Sequence, residues 1–126
     1  MTEEIYEHLQ AAKDALEDTQ VLLNAERWDA LANRTYYAMF HATHALLLSH
    51  NIERASHKAV IAAFGEFFAK PGLVESRYHR ILREAFNLRL TGDYKIFEHV
   101  APDDAKKLVD QAADFVDMVW RQLAPD

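Results

Sequence analysis

Residues 28–50 read WDALANRTYYAMFHATHALLLSH and give the clearest indication of the fold class. It contains no glycine or proline, and small or apolar residues recur at helical spacing on more than one of its faces. A helix without an evident solvent face usually lies at the centre of a bundle, or turns one face toward a partner or a site. The stretch therefore predicts a central helix. Its most polar row consists of Arg34, Tyr37, His41 and His44.

Other segments on either side show helical spacing and residues suited to helix starts. Thr2 can cap a first helix and Ser56 a third, because short hydroxyl side chains accept hydrogen bonds from free backbone amides. Pro102 and the two acids after it indicate the start of a last helix. The pattern predicts an all-α fold, an up-and-down bundle of four long helices plus one shorter helix.

The fourth predicted helix is defined mainly by its end. It runs from about Glu75 to Leu90, and Gly92 suits the left-handed residue that closes many helices. We therefore expect Asp93 and Tyr94 to lie just beyond the helix.

Length and composition limit the class of protein. The chain has 126 residues, half of them apolar, which fits a single domain over residues 1–126. It has no cysteine, so disulfides and thiolate metal sites are excluded. The acidic N-terminus and the lack of a long apolar run predict a soluble, cytoplasmic protein without a membrane partner.

The distribution of charge is uneven. The net charge of −6 opposes non-specific nucleic-acid binding, but residues 51–100 carry eight Lys or Arg against six Asp or Glu. The cationic residues of one part of this segment are Arg77, Arg80, Arg83, Arg89 and Lys95, with Glu84 and Asp93 as the local counter-charges. They predict either an anion-binding patch or a solvated helix face.

Two motifs carry a resemblance to a known family. The central helix contains Arg-Thr-Tyr-Tyr-Ala-Met-Phe at residues 34–40, and Arg-Leu-Thr-Gly-Asp-Tyr at residues 89–94 spans the predicted end of the fourth helix. With Ser-His-Lys at residues 56–58 between them, they resemble the HEPN (higher eukaryotes and prokaryotes nucleotide-binding) superfamily, in its small stand-alone prokaryotic branch. The resemblance implies a helical bundle that forms a homodimer.

The resemblance also implies a site. Many members are metal-independent ribonucleases whose motif is an arginine followed, after four to six residues, by a histidine. Arg89 matches the arginine, while Tyr94 stands where the histidine is expected. Tyrosine, with an ordinary pKa of about 10, is a poor general base near neutral pH. It can still donate a hydrogen bond to a phosphate that an arginine holds.

The preferred hypothesis is a HEPN module that binds a nucleotide or an RNA phosphate without a cofactor. The predicted ligand-binding residues are Arg34, Tyr37, Arg89, Asp93 and Tyr94. The resemblance places such a module in a toxin–antitoxin system or beside a minimal nucleotidyltransferase partner, for which Tyr94 is the candidate modified residue. No metal site is expected, because the spacing of His41 and His44 lacks the accompanying acidic motifs of helical metal sites.

Two other interpretations stay open at this point, and with them the question whether the protein is an enzyme. The first is a metal-independent endoribonuclease toxin in which Arg89 and Tyr94 are catalytic, or in which another histidine acts as the base. The second is a non-catalytic dimeric interaction scaffold, in which the polar row of the central helix only fixes how two copies pair.

Overall fold

The computed structural model describes residues 2–124, which form five α-helices and no strand. The helices are α1 (Glu3–Asn24), α2 (Trp28–Ser49), α3 (His57–Phe64), α4 (Ser76–Tyr94) and α5 (Pro102–Leu123), and a π-helical turn (Gly65–Ala69) continues α3. The all-α prediction is confirmed, whereas the up-and-down order stays a prediction. Within the described residues, no helix has the length and apolar character needed to cross a bilayer.

Helix α2 lies at the centre, as its sequence predicts. It packs against all four other helices, and Leu31, Tyr36, Met39 and Leu46 are completely buried along it. Helices α1 and α4, both fully described, make no contact with each other. The polar row of α2 is half-buried on the side between them, which we call the open side of α2. On this side Tyr37 bonds to Arg89 of α4 and His41 lies next to His8 of α1.

The predicted helix starts are confirmed. The Thr2 hydroxyl accepts a hydrogen bond from the Ile5 amide at 3.3 Å, and the Ser56 hydroxyl accepts one from the Ala59 amide at 3.1 Å. Pro102 is the first residue of α5, where its missing N–H costs nothing. Local cap chemistry thus sets these boundaries.

The predicted end of the fourth helix is wrong. Gly92 does not adopt a left-handed conformation, and α4 continues through it to Tyr94. A Cβ on Gly92 would lie 3.2 Å from both the Cβ and the carbonyl oxygen of Asp29. Gly92 allows this approach, in which the last turn of α4 packs closely on the first turn of α2. Asp93 and Tyr94 consequently belong to the helix.

The segment that follows α4 is attached to α2 through Asp29. The Val100 amide donates to Asp29 Oδ1, and His99 Nδ1 lies within hydrogen-bonding distance of Asp29 Oδ2, both at 2.8 Å. Burial raises the pKa of Asp29, but these two hydrogen bonds outweigh it and hold the pKa below the ordinary value. The contacts fix the path of the chain between α4 and α5.

Candidate functional site

The centre of the candidate site is Arg89, on the last turns of α4. Its Nη2 donates a hydrogen bond to the Tyr37 hydroxyl of α2 at 3.0 Å. Its Nε lies 2.8 Å from Asp93 Oδ2, an ion-pair distance, although the Nε–H is not directed at that oxygen. The side chain is only 11% exposed. Arg89 is therefore held from both helices.

Arg34, on α2, joins the same network through a side chain that sequence reasoning missed. Asn33 Nδ2 donates to Asp93 Oδ2 at 2.9 Å, and Arg34 Nε donates to Asn33 Oδ1 at 2.8 Å. The Cζ atom of Arg34 lies 5.0 Å from the centre of the Tyr37 ring, against 5.3 Å for that of Arg89. One tyrosine ring thus lies near two guanidinium groups.

The electrostatics of this network favour an anion. Arg89 pairs with the carboxylate of Asp93, whereas Arg34 is connected to it only through the neutral Asn33, so the group keeps an excess positive charge. Among residues 2–124, the terminal nitrogens of Arg34 make no hydrogen bond to protein atoms. Guanidinium groups bind carboxylate and phosphate oxygens through paired N–H donors, which makes both ligand classes chemically suitable.

Tyr94 contributes differently from the other predicted residues. Its ring centre lies 5.5 Å from the Cζ atom of Arg89, and the side chain is 67% exposed. The structure thus brings together all five predicted ligand-binding residues: Arg34, Tyr37, Arg89, Asp93 and Tyr94. Four of them are linked through hydrogen bonds or an ion pair, whereas Tyr94 borders the site through its ring.

His57, the first residue of α3, is a second group that the sequence did not assign to the site. Its Nδ1 lies 2.7 Å from the Tyr36 hydroxyl, and its ring stacks on Phe40 at 4.3 Å. Burial lowers the pKa of His57, and the nearby charge of Arg89 lowers it further. The residue is therefore a neutral imidazole beside the site near pH 7. A sequence cannot reveal such a contact between distant helices.

The other end of the open side of α2 carries three histidines. His8 of α1 has its Nδ1 3.1 Å from His41 Nδ1, and its ring stacks on that of His44 at 4.3 Å. Burial lowers the pKa of His41 to about 4, helped by the neighbouring histidines and Arg34. No group of three potential ligands among the described residues is arranged to hold one metal ion.

The basic residues of α4 do not form one continuous patch. Arg77 pairs with Glu75 at 2.9 Å and with Asp114 of α5 at 2.8 Å. Arg80 lies 3.8 Å from Glu84. Arg83, by contrast, has no carboxylate within ion-pair distance among residues 2–124. The predicted patch is thus divided into paired surface charges and separate cationic sites.

Known proteins resemble the chain over nearly its whole length. The model of the HEPN domain matches residues 5–123. A Methanocaldococcus jannaschii protein with the name "Putative toxin" is 32% identical over 121 residues, covering 96% of this chain and 90% of that protein. A UPF0332 protein of Gloeobacter violaceus is 34% identical over 125 residues, covering 98% and 99% respectively.

A UPF0332 protein of Thermotoga maritima is 33% identical over 112 residues, covering 89% of this chain and 85% of its own. The family match, the full-length relatives and the all-α fold agree with the motifs around Arg89. The chain belongs to the HEPN domain family.

Proposed function

We propose that this protein is a toxin-type HEPN module that binds a nucleotide or an RNA phosphate. The ligand lies at the site of Arg34, Tyr37, Arg89, Asp93 and Tyr94. Two relatives from Methanocaldococcus jannaschii carry the name "Putative toxin", which supports the toxin assignment. The module acts as a homodimer and has a minimal nucleotidyltransferase as its partner.

The observation that carries the proposal is that two arginines lie around the ring of Tyr37, while a single carboxylate, that of Asp93, belongs to the same network. Arg89 is fixed by Tyr37 and Asp93, so little side-chain entropy is lost when it binds an anion. Arg34 has terminal N–H groups directed to no other protein atom of residues 2–124. A phosphate offers pairs of oxygen acceptors that a guanidinium group binds through paired N–H donors.

An endoribonuclease is the second candidate, and His57 is the observation that favours it. Its imidazole is neutral near pH 7 because burial and Arg89 lower its pKa, so it can accept a proton from a ribose hydroxyl. An RNA product formed in EDTA by the wild type and lost in Arg89→Ala would support cleavage. If RNA is bound but no product forms, the binding module is the remaining candidate.

Tyr94 is the proposed acceptor of a nucleotidyl group from the partner. Its exposure of 67% leaves the ring accessible to a second protein. In the transfer, Tyr94 Oη attacks the α-phosphorus of ATP and forms the O–P bond. The bond to the departing pyrophosphate breaks, and the hydroxyl proton passes to solvent. The added phosphate would lie beside Arg89, whose Cζ is 5.5 Å from the Tyr94 ring centre.

The experiment compares thermal unfolding of the wild type and Arg89→Ala with ATP, GTP and short RNA. A ligand at about a hundred times its Kd stabilises the folded state by ~2.7 kcal/mol, which raises Tm by several degrees in a domain of this size. We expect this shift for the wild type and its loss in Arg89→Ala. The control is Arg80→Ala, which removes an exposed charge of the same helix.

Native mass spectrometry of the same samples tests the dimer. We expect a homodimer for both proteins, since the proposal assigns Arg89 to ligand binding. A wild type that binds none of the three ligands would contradict the anion site. If, in addition, Arg89→Ala dissociated the dimer, the scaffold interpretation would replace it.

A further inference from the structure

A second cationic cavity lies between α3 and α4, outside the site described above. Its volume is about 370 Å³, within the range of roughly 300–1,000 Å³ typical of small-molecule sites. The lining residues are Lys58, Ile61, Ala62, His79, Arg83, Phe86 and Asn87. Two of them are cationic and none is acidic, so the cavity suits an anionic ligand.

The charges of this cavity are not compensated by the protein around it. Among residues 2–124, neither Lys58 nor Arg83 has a carboxylate within ion-pair distance, in contrast to Arg77 and Arg80. The charge of Arg83 also helps burial to lower the pKa of His79, so the histidine is neutral near pH 7. Lys58 and Arg83 are therefore available for an external counter-ion.

Phe86 lines this cavity and lies close to aromatic residues beside the Arg89 site. It lines the cavity, while its ring lies 5.5 Å from Tyr36 and 6.1 Å from His57. The Cζ atom of Arg89 lies 5.8 Å from that same Tyr36 ring. Phe86 therefore connects the cavity to the aromatic residues that surround Arg89.

The spacing of the two arginines excludes a single small anion that spans both. Arg83 and Arg89 are six residues apart on α4, which corresponds to ~9 Å along the helix axis and about 120° around it. A strand of nucleic acid carries phosphates at intervals shorter than this, about 3.4 Å per nucleotide along the axis of a duplex. Phosphates two or three nucleotides apart on one strand cover roughly 7–10 Å at this interval, which matches the axial separation of the two arginines.

We propose that the cavity of Lys58 and Arg83 is a second nucleotide subsite, so that the natural ligand is single-stranded RNA and not a mononucleotide. A phosphate binds Lys58 and Arg83, and an unpaired base lies on Phe86 and Ile61. The Asn87 amide can hydrogen-bond to the base edge or the ribose. This inference rests on the proposed function, because another nucleotide of the same strand occupies the Arg89 site.

The test measures the Kd of a short single-stranded RNA and of ATP by fluorescence anisotropy at several salt concentrations. We expect Arg83→Ala to weaken RNA binding several-fold and to leave the Kd of ATP unchanged. One lost phosphate contact should also reduce the slope of log K against log salt by about 0.7. Lys58→Ala should behave in the same way, and Arg83→Lys should restore most of the affinity.

Arg80→Ala is the matched control, because it removes a cation of α4 outside the cavity. Unchanged Tm values exclude a folding defect as the reason for lost binding. RNA binding that is indifferent to both Lys58→Ala and Arg83→Ala, with ATP binding still dependent on Arg89, overturns the subsite alone. Absence of any ligand binding by the wild type overturns the proposed function as well. Equal affinity for DNA of the same sequence overturns the assignment to RNA.

Discussion

Tyr37 organises the candidate site at the scale of single residues. Its hydroxyl accepts a hydrogen bond from Arg89, and its ring lies near the guanidinium of Arg34. Asp93 balances one of these charges and, through Asn33, is connected to the other. Asp93 therefore positions both arginines without neutralising the site. This explains how a protein with a net charge of −6 keeps a locally cationic surface.

Transfer of a nucleotidyl group to Tyr94 can be detected directly by mass spectrometry. Incubation with the cognate nucleotidyltransferase and ATP is expected to increase the intact mass of the wild type by the mass of the nucleotidyl group attached to Tyr94. Tyr94→Phe should keep its mass, because the acceptor oxygen is gone. Tyr6→Phe, which removes another exposed tyrosine hydroxyl on α1, is the control and should be modified. An unshifted wild type, or a modified Tyr94→Phe, would contradict the assignment.

The sequence indicated the site residues that belong to a recognisable motif or to the polar row of α2, and it missed the cross-helix partners Asn33 and His57. Arg89, Asp93 and Tyr94 are close in the chain, so their proximity follows from one helix. Asn33 and His57 act through contacts with residues far away in the sequence, 60 and 21 positions respectively. No local pattern encodes such contacts, because they depend on how α2, α3 and α4 pack.

The end of α4 shows how an element depends on its neighbour. Alanine is a better helix former than glycine by about 1 kcal/mol, so propensity alone predicts that Gly92→Ala stabilises the protein. The added Cβ would, however, lie 3.2 Å from backbone and Cβ atoms of Asp29, which cannot rotate away. We expect a lower Tm for Gly92→Ala, measured by thermal unfolding.

Thr91→Ala is the control for this substitution. It also raises helix propensity in the last turns of α4, and the Thr91 hydroxyl bonds only to the Asn87 carbonyl of its own helix. Its Tm should be equal to or above that of the wild type. If Gly92→Ala raised the Tm as much as Thr91→Ala does, the close packing on Asp29 would have no energetic consequence.

Helix starts were predictable and this helix end was not, for a physical reason. The Thr2 and Ser56 caps act within three residues of the chain, so the signal is local. Gly92 is ambiguous, because glycine serves both a left-handed helix end and a close approach between elements. Only the packing of α4 on α2 decides between these two uses.

The stability of the whole molecule is expected to depend on pH through its histidines. The pKa of His41 is lowered from 6.5 to about 4 by burial and by nearby cationic groups, and the pKa of His8 is lowered as well. The unfolded chain therefore binds more protons than the folded one below about pH 6.5. This stability is complete above that pH and is lost as the pH falls toward 4.

Urea unfolding between about pH 7.5 and 5 measures this effect, because carboxylates change little in that range. The free energy of unfolding should fall with decreasing pH, and His41→Gln should flatten the dependence. His50→Gln replaces an exposed histidine and should retain the wild-type slope. A His41→Gln variant as acid-sensitive as the wild type would rule out His41 as a source of the slope.

The fold class was predictable because the helical period is visible in each segment separately. The bundle arrangement is a property of the whole chain, and the open side of α2 arises only because α1 and α4 do not touch. The polar row Arg34, Tyr37, His41 and His44 marked that side in the sequence. Its neighbours on α1 and α4 became known only from the structure.

The central position of α2 has a consequence for how such a protein can diverge. Its buried faces hold four neighbouring helices, and its remaining side supplies Arg34 and Tyr37 to the site. A mutation that changes this helix therefore risks the core and the ligand together. Arg83 and Asn87 on α4 line the second cavity and are exposed, so they do not also form part of the core. We therefore expect substitutions that change the ligand preference to occur at these positions of α4 and not on α2.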